Sequence, residues 1–199
     1  MPEKKKLKKE LRILGMDDSP FSKFRDKKCR VVATIFRGGN YMDALLSCFI
    51  EVDGFDSTEK IISLVKKSRH IEQLQCIMVK GIALAGFNII DIQELSKKTK
   101  LPVIVMMRKM PNFKKIENAL KKAGRKTADK KLELIKKAGK IFCCKNNDKK
   151  IYFQTAGISE KKASDIIKLS SSHSLIPEPL RISHIIASGI AFGESKGRA

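Results

Sequence analysis

CIMVKGIALAGFNIIDI, residues 76–92, carries a strand, loop and helix pattern from which the fold class can be predicted. Its first four residues are apolar, Lys80 ends that run, Gly81 follows directly, and a helical pattern opens at Asp91. This order predicts a buried strand, a loop and a helix, which is typical of α/β proteins. Because polar side chains at the carboxyl ends of such strands lie in the crevice where ligands bind, Lys80 is a candidate site residue.

Hairpin strands come before this stretch. Residues 11–19, 29–39 and 43–56 have the pattern of three consecutive strands, so antiparallel neighbours are expected. Residues 57–69 have helical periodicity, with Ser57 or Thr58 as the expected N-cap. Buried strands are expected at 74–80 and 101–107, on either side of a helix at 91–99. The order of these segments predicts an α/β domain with a mixed sheet flanked by helices.

The C-terminal half adds helices and one more hairpin. Two lysine-rich helices are expected near 113–123 and 127–138, and a hairpin within 140–155 is expected to turn at 146–148. A helix at 159–170 and another from about 180 to 192 follow, separated by the stiff segment IPEPL. No internal repeat or linker interrupts the pattern. We therefore expect one domain over residues 11–199, preceded by a basic flexible tail at residues 1–10.

The charge of the chain favours a polyanionic partner. The formal net charge is +21, from 42 Lys and Arg against 21 Asp and Glu, and residues 114–150 hold fourteen basic and four acidic side chains. A lysine-rich face that serves only solubility is the simpler alternative. Nucleic acid explains the excess better, because lysines suit phosphate contacts without base readout. We expect DNA as the partner; the sequence carries no signal for an oligomeric state.

Composition also excludes several classes of protein. No apolar run reaches the roughly 18 to 20 residues that span a bilayer, and the basic N-terminus lacks an apolar signal-peptide core, so we expect no membrane partner and a cytoplasmic location. The five cysteines have no CxxC spacing, so neither a zinc site nor a disulfide framework is indicated. Three lie in apolar strand-like runs and are expected to be buried, reduced thiols.

Carboxylates at the predicted strand ends suggest a magnesium site, since Mg²⁺ prefers hard oxygen ligands. Each acid except Asp17 has a plausible structural role. Asp56 and Asp91 suit helix caps, Glu59 suits a helix dipole, and Asp18 suits a turn before Pro20. Asp17 directly ends a strand of central type, which favours a functional role. The acids are Asp17, Asp18, Glu51, Asp53, Asp56, Glu59 and Asp91.

Three segments resemble one known family. RILGMDDSPF (12–21), VKGIALAGFNIIDI (79–92) and IPEPLRISHIIASGIAFGESKGRA (176–199) look like the endonuclease dU family, an archaeal family related to endonuclease V. The resemblance spans residues from about 10 to 199 in the same order. It implies a ribonuclease H-like fold with strand one central and strand four beside it. It also implies a DNA repair nuclease that cuts near a deaminated base, uracil or hypoxanthine, with carboxylate-bound Mg²⁺ or Mn²⁺.

The resemblance assigns roles to individual positions. Asp17 matches the metal-binding aspartate of strand one, and His184 matches the histidine of the C-terminal helix, which orients groups or handles a proton. Glu59 is the candidate for a further catalytic acid, and Asp53 is a candidate metal ligand. Arg108 or Lys109 falls near the family's basic residue after strand five. The charge excess of residues 114–150 adds the other expected nucleic-acid contacts, Lys114, Lys115, Lys121 and Lys122.

Lys80 departs from the pattern of the relatives, which have a second metal-binding aspartate at this strand end. The change replaces a negative ligand by an ammonium that has no lone pair for a metal. At 4 Å such a pair with Asp17 attracts by roughly 4 kcal/mol at an effective dielectric constant of 20. Lys80 is therefore expected to occupy the metal's place and to weaken or abolish catalysis. In the alternative, Lys80 turns into solvent and Asp17 holds a weaker metal with Asp53 or Glu59.

Overall fold

The computed structural model describes residues 8–146 and 149–197, and its central element is a seven-stranded mixed sheet. The strands are β1 (Arg12–Asp18), β2 (Lys28–Arg37), β3 (Tyr41–Glu51), β4 (Cys76–Lys80), β5 (Ala83–Leu84), β6 (Asn88–Ile89), β7 (Val103–Met107), β8 (Phe142–Asn146) and β9 (Lys149–Ala156). The helices are α1 (Ser57–Lys67), α2 (Ile92–Thr99), α3 (Phe113–Lys137), α4 (Glu160–Ser170) and α5 (Glu178–Phe192). The predicted mixed sheet with flanking helices is confirmed.

Strand β1 is an interior strand of the sheet, whose order is β3-β2-β1-β4-β7-β9-β8; β5 and β6 form a separate hairpin. Strand β1 pairs antiparallel with β2 and parallel with β4. In the parallel pair, Ile13 lies opposite Cys76 and Met16 lies opposite Val79. The carboxyl ends of β1 and β4 therefore meet at one edge of the sheet. This confirms the expectation that Asp17 and Lys80 stand on neighbouring strand ends.

The two faces of the sheet carry separate cores, because side chains alternate along each strand. Leu14, Met16, Ile77 and Val79 face the helices α1 and α2. Ile13, Cys76 and Met78, on the opposite face, pack against α4 and α5. The sheet is thus covered on both sides, and β1 and β4 are buried as central strands should be.

Helix α3 lies against the β5–β6 hairpin, where Leu120, Ala128 and Ile135 bury Ile89. Sequence periodicity predicted two helices here, and the structure has one helical segment whose regular geometry is broken at Gly124. Gly124 has the extended backbone angles φ 175° and ψ 96°, so the segment bends at the point where the sequence placed a gap. Gly124 thus divides the segment into two helical parts, as the sequence pattern predicted.

Two helix starts differ from expectation. Asp56 holds the N-cap position of α1, and Ser57 and Thr58 lie within its first turn. Their hydroxyls bind the β6–α2 segment instead: Ser57 donates to the Ile89 carbonyl and Thr58 accepts from the Asp91 amide. Helix α5 begins at Glu178 rather than near residue 180, because a proline is compatible with the first turn of a helix.

Parts of two predictions lie outside the described residues: most of the flexible tail at 1–10, and the hairpin turn at 147–148. None of the helices in the described ranges has both the length and the hydrophobicity to cross a bilayer. Cys29 and Cys76 are buried, and burial raises the pKa of each thiol to about 12, which makes them unreactive.

Candidate functional site

Three predicted residues meet at the carboxyl edge of β1 and β4. The Lys80 ammonium donates to Asp17 Oδ2 at 2.8 Å, and its Nζ lies 3.0 Å from His184 Nδ1. His184 Nδ1 is also 2.8 Å from Asp17 Oδ2. Asp17 comes from β1, Lys80 from β4 and His184 from α5, so residues up to 167 positions apart in sequence form one cluster.

The cluster is partly closed to solvent. The side chain of Asp17 is only 5% exposed, whereas Lys80 is 25% and His184 is 17% exposed. A nearly buried carboxylate is costly unless a positive group and hydrogen bonds compensate its charge. Lys80 supplies that charge directly. The contact of Asp17 with Lys80 is therefore a structural requirement of this arrangement.

Lys80 Nζ, Asp17 Oδ2 and His184 Nδ1 cannot make all three mutual hydrogen bonds at the same time. If His184 Nδ1 accepts a hydrogen bond from the Lys80 ammonium, it presents a lone pair, not a proton, to Asp17. If Nδ1 instead carries a proton and donates a hydrogen bond to Asp17, it has no lone pair that can accept a hydrogen bond from Lys80. His184 Nδ1 therefore makes a hydrogen bond with either Lys80 Nζ or Asp17 Oδ2, according to its protonation.

Helix α5 is held against β1 by close packing and by buried hydroxyls. A Cβ atom on Gly15 would lie 2.4 Å from Pro179 Cβ, so only glycine permits this approach. Ser183 Oγ donates to the Gly15 carbonyl at 2.7 Å, and Thr34 Oγ1 donates to the Pro179 carbonyl at 2.8 Å. His184 follows Ser183 directly, so these contacts set its distance from Asp17.

The first turn of α5 contains a buried ion pair. The Glu178 side chain is 3% exposed and receives two hydrogen bonds from Arg181, at 2.9 Å from Nε and 2.7 Å from Nη2. The sequence resemblance placed both residues in the motif that also contains His184. The structure gives the pair a physical role, because an acid at a helix N-terminus is favourable and its arginine partner reaches the cleft described next.

A cationic cleft of about 270 Å³ opens beside His184. Arg108, Arg181 and Lys196 line it together with His184, and Ser174, Ile185, Ser195 and Gly197 complete its wall. His184 Nε2 is buried at this side of the cluster and has no hydrogen-bond partner among residues 8–146 and 149–197. Positive side chains around a small cleft suit an anionic group such as a phosphate.

Asp18 follows Asp17 at the end of β1, and the sequence left it as either a candidate metal ligand or a turn residue. Its Oδ2 accepts a hydrogen bond from the Ala85 amide at 2.8 Å, which ties the end of β1 to the loop before β6. Burial, followed by the negative charge of Asp17, raises the pKa of Asp18 from 3.8 to about 6. Its neighbour Asp17 was visible in the sequence as a polar strand end, but only the fold shows that Asp18 is partly buried.

Asp53 and Glu59 do not join the Asp17 cluster through any described contact. Asp53 has a left-handed backbone (φ 55°), and its Oδ1 accepts from the Phe87 amide at 2.8 Å while Oδ2 lies 3.6 Å from Lys23 Nζ. Glu59 is exposed on α1 and borders a groove between α1, α2 and α3. In this arrangement Asp53 holds the β5–β6 hairpin in place, and Glu59 lies on a different surface.

The arrangement does not fit a hexacoordinate Mg²⁺ or Mn²⁺ ion. Such an ion needs oxygen ligands at about 2.1 Å in octahedral geometry. The Asp17 oxygen that faces the cluster is already taken by Lys80 and His184, and the Asp18 oxygen binds the Ala85 amide. Within the part of the chain that the structure describes, no group of three or more His, Cys, Asp or Glu side chains is arranged to hold a metal.

The basic residues that are expected to contact nucleic acid lie on the surface of the protein. Arg108 borders the cleft, and Lys109, Lys114, Lys115, Lys121 and Lys122 are exposed. Other lysines of α3 attach the helix to the domain: Lys131 donates to the Asp53 carbonyl, and Lys137 pairs with Asp91. The helix therefore separates into a docking side and an exposed cationic side. Sequence spacing alone did not distinguish these two sets of lysines.

Comparison with known proteins identifies the family and the fold. The sequence profile described as endonuclease dU matches residues 9–191. A UPF0215 protein from Methanosarcina acetivorans is 48% identical over 195 residues, covering 97% of each chain. A solved protein of unknown function from Archaeoglobus fulgidus has a TM-score of 0.80 at 39% identity, covering 90% of this chain and 98% of that one.

A more distant likeness concerns the fold alone. Endonuclease V from Ciona intestinalis, solved in complex with a 24mer DNA containing an inosine followed by a ribo-adenosine, has a TM-score of 0.54 at 13% identity. The match covers 87% of this chain and 82% of the other. The fold is thus ribonuclease H-like, as the resemblance implied. By profile, sequence identity and structure together, the chain belongs to the endonuclease dU family.

Proposed function

We propose that this protein binds DNA that contains a deaminated base, uracil or hypoxanthine, and that metal-dependent strand cleavage is impaired because Lys80 takes the place of a metal at Asp17. The observation that carries the proposal is the 2.8 Å contact between Lys80 Nζ and Asp17 Oδ2. Lys80 compensates the charge of a nearly buried carboxylate, so an ion at Asp17 would first have to displace an ammonium that the fold uses.

Charge and shape support nucleic acid as the partner. The net charge of +21 attracts polyanions, and the cleft beside His184 presents Arg108, Arg181 and Lys196 to an anionic group. The exposed lysines of α3 add phosphate contacts that do not depend on sequence. The endonuclease V neighbour was solved with inosine-containing DNA. This likeness makes deaminated DNA the substrate class to test first.

A second candidate function is a Mg²⁺- or Mn²⁺-dependent endodeoxyribonuclease on the same DNA. The observation that favours it is the contact between His184 and Asp17 at the border of the cationic cleft, which joins the two positions that the resemblance assigns to proton handling and metal binding. This function requires Lys80 to leave Asp17. The 25% exposure and flexible stem of Lys80 are compatible with such a movement.

Binding and nicking assays distinguish the two candidates. Labelled duplexes of one sequence, carrying a central uracil, hypoxanthine or normal base, are incubated with the protein in EDTA, in Mg²⁺ and in Mn²⁺. We expect tighter binding to the deaminated duplexes in all three buffers, without strand cleavage. Metal-dependent nicking that Asp17→Asn abolishes would instead establish the endonuclease, provided that the variant remains folded by circular dichroism. Equal affinity for all three duplexes would refute recognition of a deaminated base.

A further inference from the structure

The loop between β1 and β2, residues 19–27, presents an unusual phenylalanine. Phe24 is 97% exposed, more than any other large hydrophobic side chain in the described residues. Phe21, three positions earlier in the same loop, is partly buried against the core beneath the sheet. One phenylalanine therefore anchors the loop, and the other projects from it. An aromatic ring kept fully in water gains nothing from folding, so the fold itself gives no reason for a phenylalanine at this position.

The loop holds Phe24 on an ordered turn. The Ser22 carbonyl accepts hydrogen bonds from the Arg25 amide at 3.1 Å and from the Asp26 amide at 2.9 Å. The Asp26 carboxylate in turn accepts from the Ser22 amide at 2.6 Å. The Lys27 carbonyl, at the end of the loop, accepts from the Val52 amide at 3.0 Å. Phe24 thus lies inside a closed turn whose backbone is fixed, and binding there requires little further ordering of the chain.

The surroundings of Phe24 are cationic. Lys23, Arg25, Lys27 and Lys28 are exposed, and the one acid among them, Asp26, is engaged with the turn. A protein interface would favour fewer lysines around its aromatic centre, because lysine is depleted there. Phosphates beside a stacked base need this combination: cations for the backbone and an aromatic ring for the base. The positive charge around Phe24 therefore favours a nucleic acid strand over a protein surface as the binding partner.

The position of the loop connects it to the Asp17 cluster. Residue 19 follows directly on β1, so the loop leaves the sheet at the edge where Asp17 and Lys80 stand. On the other side, Lys23 reaches Asp53, which holds the β5–β6 hairpin. A strand bound at the cluster would pass this edge of the sheet.

We propose that Phe24 is a nucleobase-stacking site, on which an unpaired base of the bound strand lies flat while Lys23 and Arg25 contact the neighbouring phosphates. This inference rests on the proposed nucleic-acid binding and adds the residue that holds an unstacked base. The ligand class is a single-stranded or locally opened strand, because a base paired within a continuous duplex offers no free face.

The absence of tryptophan from the chain gives a specific test. Phe24→Trp introduces a single indole at the proposed site, and Tyr41→Trp introduces a matched one at the opposite edge of the sheet. Tyr41 is also exposed, at 68%, and has an arginine beside its ring. We expect single-stranded oligothymidine to quench the indole fluorescence of the Phe24→Trp variant upon binding and to leave that of the Tyr41→Trp variant unchanged. Phe24→Ala should weaken oligothymidine binding by about tenfold, with an unchanged dependence of affinity on salt.

The outcomes separate this inference from the proposed function. If the wild-type protein binds no DNA at low ionic strength, the proposed function fails and the inference with it. If the wild type binds, but Phe24→Ala binds equally well and the Phe24→Trp variant is not quenched, the stacking site alone is refuted. A Phe24→Trp signal that changes on dilution of the protein, and not on addition of DNA, would assign position 24 to contact between copies of the chain and would likewise overturn the inference.

Discussion

The Lys80 ammonium and the Asp17 carboxylate lie 2.8 Å apart at the adjacent carboxyl ends of two parallel strands. The charge at this position is therefore compensated within the chain. His184, with Nδ1 2.8 Å from the same Asp17 oxygen, completes the cluster. We expect the stability of the fold and its response to metal ions to depend on this pair.

Removing the Lys80 charge should destabilise the fold. Lys80→Met leaves Asp17 nearly buried without its cation, and we expect a loss of about 3 kcal/mol in the free energy of unfolding at neutral pH. Adding Asp17→Asn should recover part of that loss, because the buried charge is then gone. Urea denaturation of the two single variants and the double variant measures the coupling. Lys121→Met breaks an exposed pair with Glu117 and should change the stability far less than Lys80→Met does. Purely additive effects at Lys80 and Asp17 would contradict the pairing.

The raised pKa of Asp18 predicts a pH dependence of stability. In the folded protein Asp18 stays protonated up to about pH 6, whereas in the unfolded chain it ionises near 3.8. The folded state therefore binds more protons in this window, and the Asp18 contribution to stability falls as the pH rises from about 4 to about 6. Asp18→Asn removes this loss, so the variant should exceed the wild type by about 3 kcal/mol at pH 7.5 and match it near pH 4.

The measurement for Asp18 is urea denaturation in EDTA across this pH range, with the difference between variant and wild type as the readout. The asparagine oxygen can still accept from the Ala85 amide, so the hydrogen bond is retained. A difference that does not change with pH would show that Asp18 titrates normally in the folded protein.

The approach of α5 to β1 should not tolerate a methyl group. In Gly15→Ala the new Cβ would lie 2.4 Å from Pro179 Cβ and 2.5 Å from its carbonyl carbon, so the helix must move and His184 with it. We expect a destabilisation of about 1 to 3 kcal/mol, measured by thermal or urea denaturation. Gly189→Ala, on α5 itself, meets no atom within 4 Å and should be neutral or stabilising by up to about 1 kcal/mol. Equal effects of the two substitutions would refute the proposed contact.

The exposed lysines of α3 should determine the salt dependence of DNA binding. In a variant with Gln at Lys114, Lys115, Lys121 and Lys122, log K should fall less steeply with log salt. The magnitude of the slope should decrease by about 0.9 for each lost phosphate contact. A control variant with Gln at Lys97, Lys98, Lys161 and Lys162 removes the same charge from α2 and α4. Fluorescence anisotropy at several salt concentrations compares the two. Identical slopes in both variants would mean that only net charge matters.

The fold was largely predictable because its signals are local. The apolar runs that end at Asp17 and Lys80 predicted two buried strands, and the short connections between the first three segments predicted antiparallel pairing. Side-chain direction was not predictable from such patterns. Asp53 and Glu59 follow β3 closely in sequence. The Asp53 side chain is nevertheless hydrogen-bonded to the Phe87 amide of the β5–β6 hairpin, whereas Glu59 is exposed on α1.

The cluster itself was predictable only in part. The family resemblance implied that β1 and β4 lie side by side, and this pairing brings Asp17 to Lys80. The contact of both with His184 depends on how α5 packs at Gly15, over a sequence separation of more than 160 residues. The exposure of Phe24 was not predictable either, because the sequence does not indicate whether an apolar residue in a loop is buried or exposed to solvent. Both features depend on tertiary packing, which local periodicity does not encode.

The most direct test of the account is metal binding by Lys80→Asp, compared with Lys80→Met and the wild type. Lys80→Asp places a second carboxylate beside Asp17, whereas Lys80→Met removes the ammonium without adding a ligand. An ion that binds only the folded state stabilises it by about 2.7 kcal/mol at a hundredfold excess over Kd. The melting temperature of each protein is measured in EDTA and in millimolar Mn²⁺. We expect Mn²⁺ to raise the melting temperature of Lys80→Asp and to leave that of the wild type nearly unchanged. Equal increases in the wild type and Lys80→Asp would show that Lys80 does not occupy the metal's place.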